Sequence, residues 1–110
     1  MTVFVVETYV VKPEKQAEFK SLLQKFLRFM KKNPALFKEI KSLKLSTQTF
    51  GGISGAYVEL IEYNSLADQE KCYTRLKKNG QYMKLHQEAM SLIDTATFSM
   101  NAWELVMVVK

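Results

Sequence analysis

Residues 2–11 run Thr-Val-Phe-Val-Val-Glu-Thr-Tyr-Val-Val. β-Branched and aromatic side chains suit a pleated, extended backbone, so this segment predicts a long strand. Lys12-Pro13-Glu14 ends it, and Pro13 fits a first helical turn, where its missing N–H has no bond to lose. Phe19, Leu22, Leu23, Phe26, Phe29 and Met30 then recur at three- and four-residue steps, with lysines and glutamines between them. That spacing predicts an amphipathic helix of about five turns. Asn33-Pro34 stops it, and residues 35–41 leave room for one more short helical turn. Leu43, Leu45 and Thr47 alternate with Lys44, Ser46 and Gln48, which predicts a strand over 43–50. Gly51-Gly52-Ile53-Ser54-Gly55 reads as a turn, with Ala56 to Tyr63 as the returning strand of a hairpin. Ser65 and Asp68 have the form of a capping box, opening a helix through about Lys78. Asn79-Gly80 interrupts it. A second helical piece carries Met83, His86 or Gln87, Met90 and Ile93 on one stripe, and the last strand is expected from Thr97 to Val109.

The order is β-α-β-β-α-β. Right-handed crossovers fold it as an α+β, ferredoxin-like domain: an antiparallel sheet in order 4-1-3-2 with both helices on one face. Alternation sorts the central strands into two sets. Ala56, Val58 and Leu60, with Phe4, Val6 and Val10, are expected to face the helices. Tyr57, Glu59, Ile61 and Tyr63, with Val3, Val5, Glu7, Tyr9 and Val11, are expected on the uncovered face. The alternation over 100–107 assigns no side to the fourth strand. An uncovered face this apolar exceeds what a monomer normally exposes. A second copy laid sheet to sheet would bury it and close a two-chain barrel, so a homodimer through the sheet face is expected.

Length and composition narrow the class. The 110 residues make one domain, 1–110, and 47% hydrophobic with 25% charged residues is the balance of a folded protein. No apolar run reaches the roughly 20 residues a membrane helix needs. Met1 to Val11 carries Glu7 and no basic leader, so it reads as a strand and not as an export signal. Cys72 is the single cysteine, which excludes an internal disulfide and makes the cytoplasm the default compartment. The net charge of +5 makes an anionic partner conceivable, but the lysines are scattered as on an ordinary solvated surface.

Two segments carry a family resemblance. Gly55-Ala-Tyr-Val-Glu-Leu-Ile-Glu-Tyr-Asn-Ser-Leu-Ala-Asp-Gln-Glu-Lys, followed by Lys78-Asn-Gly-Gln-Tyr-Met-Lys-Leu, resembles the hairpin-strand and second-helix region of the NIPSNAP-like group. Val6-Glu-Thr-Tyr-Val-Val-Lys-Pro-Glu-Lys, with Phe19 after it, is similar to that group's first strand and helix entry. The group belongs to the dimeric α/β-barrel superfamily, and the likeness spans nearly the whole chain. It implies the barrel fold and the dimer. Relatives in the superfamily include cofactor-independent monooxygenases, haem-degrading enzymes, isomerases and proteins of no known activity. The haem-degrading relatives combine a strand-one asparagine, a tryptophan and a helical histidine. Here Trp103 and His86 are present, but Glu7 and Thr8 stand where the asparagine would be.

The candidate chemistry is short. Glu7 and Glu59 fall on adjacent central strands, and two carboxylates in an apolar setting form an acid/base pair suited to proton abstraction or enolisation. The plainer reading pairs them with Lys44 or with tyrosine hydroxyls. His86, the single histidine, has the chemistry of a general base or haem ligand, and equally that of an ordinary helical histidine. Tyr9, Tyr57, Tyr63 and Trp103 suit stacking on a flat organic ligand, or simply a dimer core. Cys72 reads as a packing residue. One histidine and one cysteine build no zinc site, no phosphate loop or dinucleotide fingerprint occurs, and no cofactor is named by the sequence. The sequence thus predicts a small-molecule barrel, an oxygenase or isomerase without cofactor, against a non-catalytic structural or regulatory dimer. RNA-recognition domains share the topology, and Ser54-Gly-Ala-Tyr-Val-Glu-Leu partly echoes their third strand. Gly55 in an aromatic's place, only Arg28 and Arg75 as arginines, and Glu7 with Glu59 on the expected face count against nucleic acid.

Overall fold

The computed structural model describes residues 2–52 and 54–110; Met1, and Ile53 within the expected turn, lie outside the described residues. The elements are β1 (Val3–Val11), α1 (Gln16–Lys32), β2 (Ser42–Thr47), β3 (Ala56–Tyr63), α2 (Leu66–Lys77), α3 (Gly80–Leu92) and β4 (Ile93–Glu104). Short 3-10 turns at Pro13–Lys15 and Pro34–Phe37 bracket α1, each opened by its proline. The sheet is antiparallel in the order β2-β3-β1-β4, which is the order expected from the sequence. No described helix is long and apolar enough to cross a membrane.

Capping sets the helix boundaries. The Ser65 hydroxyl accepts from the Asp68 N–H at 3.1 Å, closing the start of α2. Asn79 ends one helix and starts the next: its own N–H donates to the Leu76 carbonyl, and its side-chain oxygen accepts from the Tyr82 N–H at 2.9 Å. Gly55, at the end of the hairpin loop, has φ +85°, a left-handed conformation that suits glycine.

The faces of the sheet are the reverse of the sequence expectation. Val3, Val5, Tyr9 and Val11 of β1, and Tyr57, Ile61 and Tyr63 of β3, are buried. All of these but Val3 pack in clusters with Phe19 and Leu22 of α1 and Leu92 of α3, or with Cys72 and Leu76 of α2. The tyrosines therefore lie under the helices, and the uncovered face carries Phe4, Val6, Thr8 and Val10 with Ala56, Val58 and Leu60. Alternation separates the two sets correctly but does not say which set the helices cover. The choice made on size failed because the gap between sheet and helices is filled by rings. Tyr9, Tyr57, Phe19 and Phe98 stack or tilt against one another with centroids 5.0–6.2 Å apart, and large aromatics bury more apolar area than alanine or valine would. The uncovered face remains apolar, with Val58 38% and Trp103 59% exposed.

β4 also departs from expectation, starting and ending earlier than residues 97–109. It follows α3 directly and pairs Ile93 with Val11 and Asp94 with Val10, then shifts register before Ser99 meets Thr8. The bulge is closed locally. Thr97 Oγ1 donates to the Asp94 carbonyl at 2.6 Å and accepts from the Val10 N–H at 2.8 Å. β4 stops at Glu104 because β1 begins at Val3, its last partner. Residues 105–110 continue as an exposed apolar segment, with Val106 94% exposed.

Candidate functional site

Glu7 and Glu59 are direct partners in the β1–β3 ladder. Side chains so paired share a face, with Cβ atoms about 5 Å apart. The row through them reads Leu45, Glu59, Glu7, Met100 from β2 to β4. Tyr9 and Tyr57 form the next pair on one side, Val5 and Ile61 on the other. All belong to the helix-covered face, so two half-buried carboxylates sit between the aromatic cluster around Tyr9 and the cluster around Tyr63, Cys72 and Leu76.

No cation answers them. The ion pairs among the described residues are Lys15–Glu18, Lys25–Glu88 and Arg75–Glu39, and neither carboxylate makes a hydrogen bond there. Lys44, the expected partner, pairs with Leu60 across β2–β3 and so points to the uncovered face. Burial disfavours charge in such a setting. It raises the Glu59 pKa to about 7, with the Glu7 charge adding to the effect, and burial raises Glu7 as well. One carboxyl of the pair thus holds or releases a proton near neutral pH, the property a general acid or base needs.

α3 completes the enclosure with a residue that the sequence reading did not single out. Tyr82 meets Phe26 and Phe29 of α1 and Phe37 at centroid distances of 6.1, 6.5 and 6.4 Å, and its ring stacks on His86 at 6.2 Å. Burial, then the charges of Glu7 and Glu59, push its pKa up to about 12, so its hydroxyl lies within electrostatic reach of the pair. The signal was available: Tyr82 stands one helical turn before His86 on the same stripe.

The structure thus gathers Glu7, Glu59, Tyr9, Tyr57 and Tyr63 in one layer and sets His86 behind Tyr82. Trp103 is elsewhere, opposite Phe4 on the uncovered face. Burial raises the Tyr9 and Tyr63 pKa values, and the two carboxylates contribute to both shifts. Cys72 is fully buried, with Sγ 3.6 Å from the Leu36 carbonyl oxygen, and burial pushes its thiol up. Among the described residues no group of three or more ligating side chains is placed to hold a metal. Two clefts of about 580 Å³ each lie on the outer helical surface, one along α2 and one between α1 and α3; Glu7 and Glu59 line neither.

Neither a protein-family model nor a curated protein matches the sequence. Solved structures match over the full length. A NIPSNAP family protein from Agrobacterium tumefaciens superposes with a TM-score of 0.77 at 11% identity, over 96% of this chain and 94% of that one. A cofactor-independent oxygenase from Streptomyces nogalater gives 0.69 at 13% identity, over 98% and 96%. A dimeric protein of ferredoxin-like fold from Bacteroides fragilis gives 0.66 at 10% identity, over 94% and 96%. The chain has the ferredoxin-like fold that these NIPSNAP and oxygenase structures share, as its sequence resemblance implied.

Proposed function

We propose that this chain pairs with a second copy through its uncovered sheet face and binds a small hydrophobic or aromatic molecule beside Glu7 and Glu59, which supply acid–base chemistry without a cofactor. The observation that carries the reading is the direct cross-strand pairing of two carboxylates, lacking any cation, inside an aromatic layer. Like charges directly opposite destabilise a sheet, so the arrangement costs stability that a purely structural role leaves unexplained.

Glu59, with a proton affinity near neutrality, would take a proton from an activated C–H or a phenolic O–H. The negative charge of Glu7 beside it strengthens that affinity. Returning the proton at a different carbon is isomerisation; passing electrons from the resulting carbanion or phenolate to dioxygen is oxygenation, the reaction named for the Streptomyces structure. Tyr9, Tyr57, Tyr63 and Tyr82 would flank the ligand, and His86 would act through Tyr82. Trp103, with Phe4 and Val58, belongs to the surface offered to the second copy. A single buried thiol, Cys72, fits a reducing cytoplasm.

A non-catalytic dimer is the second reading, favoured by one observation: the clefts of about 580 Å³ lie away from the carboxylates. The RNA reading loses its stacking platform, because Tyr9, Tyr57 and Tyr63 lie beneath helices. The two surviving readings part on Glu59→Gln. With phenolic and enolisable carbonyl compounds as trial substrates, the wild type should turn over at least one, and the variant should lose about 100-fold or more of that rate. Equal rates for the two proteins would leave the non-catalytic dimer.

A further inference from the structure

We propose that the cleft between α1 and α3 binds a small molecule carrying two or three linked phosphate groups. The inference goes beyond the function proposed above, because this cleft lies on the outer helical surface and neither Glu7 nor Glu59 lines it.

The first support is where the charge collects. The lysines are scattered along the sequence, yet the fold gathers four cations round one cleft. Lys25, Arg28 and Lys32 line it from α1, at steps of three and four residues that put them on one side of the helix. Lys84 lines it from α3. Among the described residues Glu88 is the one carboxylate in the lining, and Lys25 answers it at 3.5 Å. Arg28, Lys32 and Lys84 make no ion pair there. Arg28 and Lys32 suit the negative end of α1, but Lys84 does not suit the start of α3, whose first turn holds no acidic residue. Like charges one turn apart weaken a helix, so packing gives no reason for the grouping and a bound anion does.

The second support comes from the backbone and the side-chain amides. Gln81 lines the cleft and is the second residue of α3. Asn79 caps the Tyr82 N–H, while the N–H groups of Gly80 and Gln81 precede the first carbonyl that the helix itself could offer. A helix start of this kind favours phosphate. On the facing wall, Asn33 donates its backbone N–H to the Phe29 and Met30 carbonyls and its Nδ2 to Phe29 at 2.9 Å. The end of α1 is thereby covered by donors where the cleft passes it.

The third support is size. The cleft holds about 580 Å³, within the range of small-molecule sites. Lys25 and Lys32 stand about 10 Å apart along α1, at 1.5 Å per residue. A lone phosphate reaches two such side chains. A short chain of phosphates reaches them all, with Arg28 between them offering a bidentate fork. The Glu88 carboxylate at the Lys25 end repels a phosphate chain that runs on past it, which suits a small molecule and not a nucleic-acid backbone.

Inorganic triphosphate and inorganic monophosphate, each titrated at physiological salt and followed by backbone amide shifts, test the proposal. Triphosphate should bind about ten-fold or more tightly than monophosphate, with the largest shifts over residues 25–33 and 80–85. Arg28→Gln and Lys84→Gln should each weaken triphosphate about ten-fold. Lys20→Gln removes the same charge from α1 outside the cleft, and screening by salt should hold its effect below about two-fold. All three positions are exposed, and circular dichroism checks that the variants fold. Equal losses in the three variants, equal affinity for the two probes, or no binding of triphosphate overturns the proposal. So does a single-stranded oligonucleotide that binds more tightly than triphosphate through the same residues, which would make the cleft a nucleic-acid surface.

Discussion

Glu59 is the residue on which the site turns, and its titration has a sign. Burial, and then the Glu7 charge, raise its folded-state pKa to about 7 from the ordinary 4.5. Between those values the folded protein binds more protons than the unfolded chain, so stability falls as pH rises through this window. The loss is at most about 3 kcal/mol, complete a little above pH 7. Urea denaturation at half-unit steps from pH 4.5 to 8 reads it directly. Glu59→Gln should flatten the curve and be the more stable protein at pH 8. A wild-type curve already flat over this range would deny the pair its burial. Glu39 behaves oppositely. Its bidentate hydrogen bonds to Arg75, 2.7 and 2.6 Å, lower its pKa to about 2. Its contribution is present above pH 4.5 and lost as pH falls towards 2, outside the window of Glu59. A glutamate on the same face of each central strand was visible in the sequence. Their direct pairing was not, because register depends on hairpin geometry and on where β1 enters the sheet.

At the scale of elements, local chemistry decided most boundaries, and two positions test that. Asn79 closes α2 with its backbone N–H and caps α3 with its side chain. Asn79→Ala should cost about 1 kcal/mol in urea denaturation, the usual worth of an N-cap, with the helix content of α3 reduced. Gly55 combines φ +85° with crowding: a Cβ there would lie 2.8 Å from Gln16 Nε2 and 3.3 Å from the Val11 carbonyl oxygen. Gln16 Nε2 itself donates to that carbonyl at 3.0 Å, tying the start of α1 to the end of β1. Gly55→Ala should therefore lose about 1 kcal/mol or more, from backbone strain and from the displaced glutamine. A neutral or stabilising result would mean that the loop reshapes freely. β4 resisted sequence reading for a physical reason. Asp94-Thr95-Ala96-Thr97 has the composition of a loop, yet its polar side chains close a bulge inside the strand.

The whole molecule presents one apolar sheet face to its surroundings, with Phe4, Val6, Val58, Leu60 and Trp103 together on it. The proposed dimer buries that face. Sedimentation equilibrium should then give about twice the 12.7 kDa chain mass. Val58→Lys, 38% exposed in the single chain, should yield a folded monomer, since the lysine ammonium cannot be buried against a second sheet. A wild type that stays monomeric at high concentration would remove the barrel. It would leave the Glu7–Glu59 site intact, because that site lies within one chain, between sheet and helices. Sequence reasoning placed the carboxylates and tyrosines at the interface between copies. The structure moves them inside the protomer, so ligand binding and dimerisation become separable properties.

The sequence by itself determined the elements, their order and the strand order, because periodicity, caps and glycine turns act over short stretches and right-handed crossovers leave few topologies. It also separated each strand into two faces. Only the tertiary structure decided which face the helices cover, since that depends on how the ring volumes of Phe19, Phe26, Tyr9, Tyr57 and Tyr82 fill a shared layer. The same packing set Glu7 against Glu59, brought Tyr82 into their neighbourhood and left Trp103 outside. These are relations between residues far apart in the chain, and no local pattern encodes them.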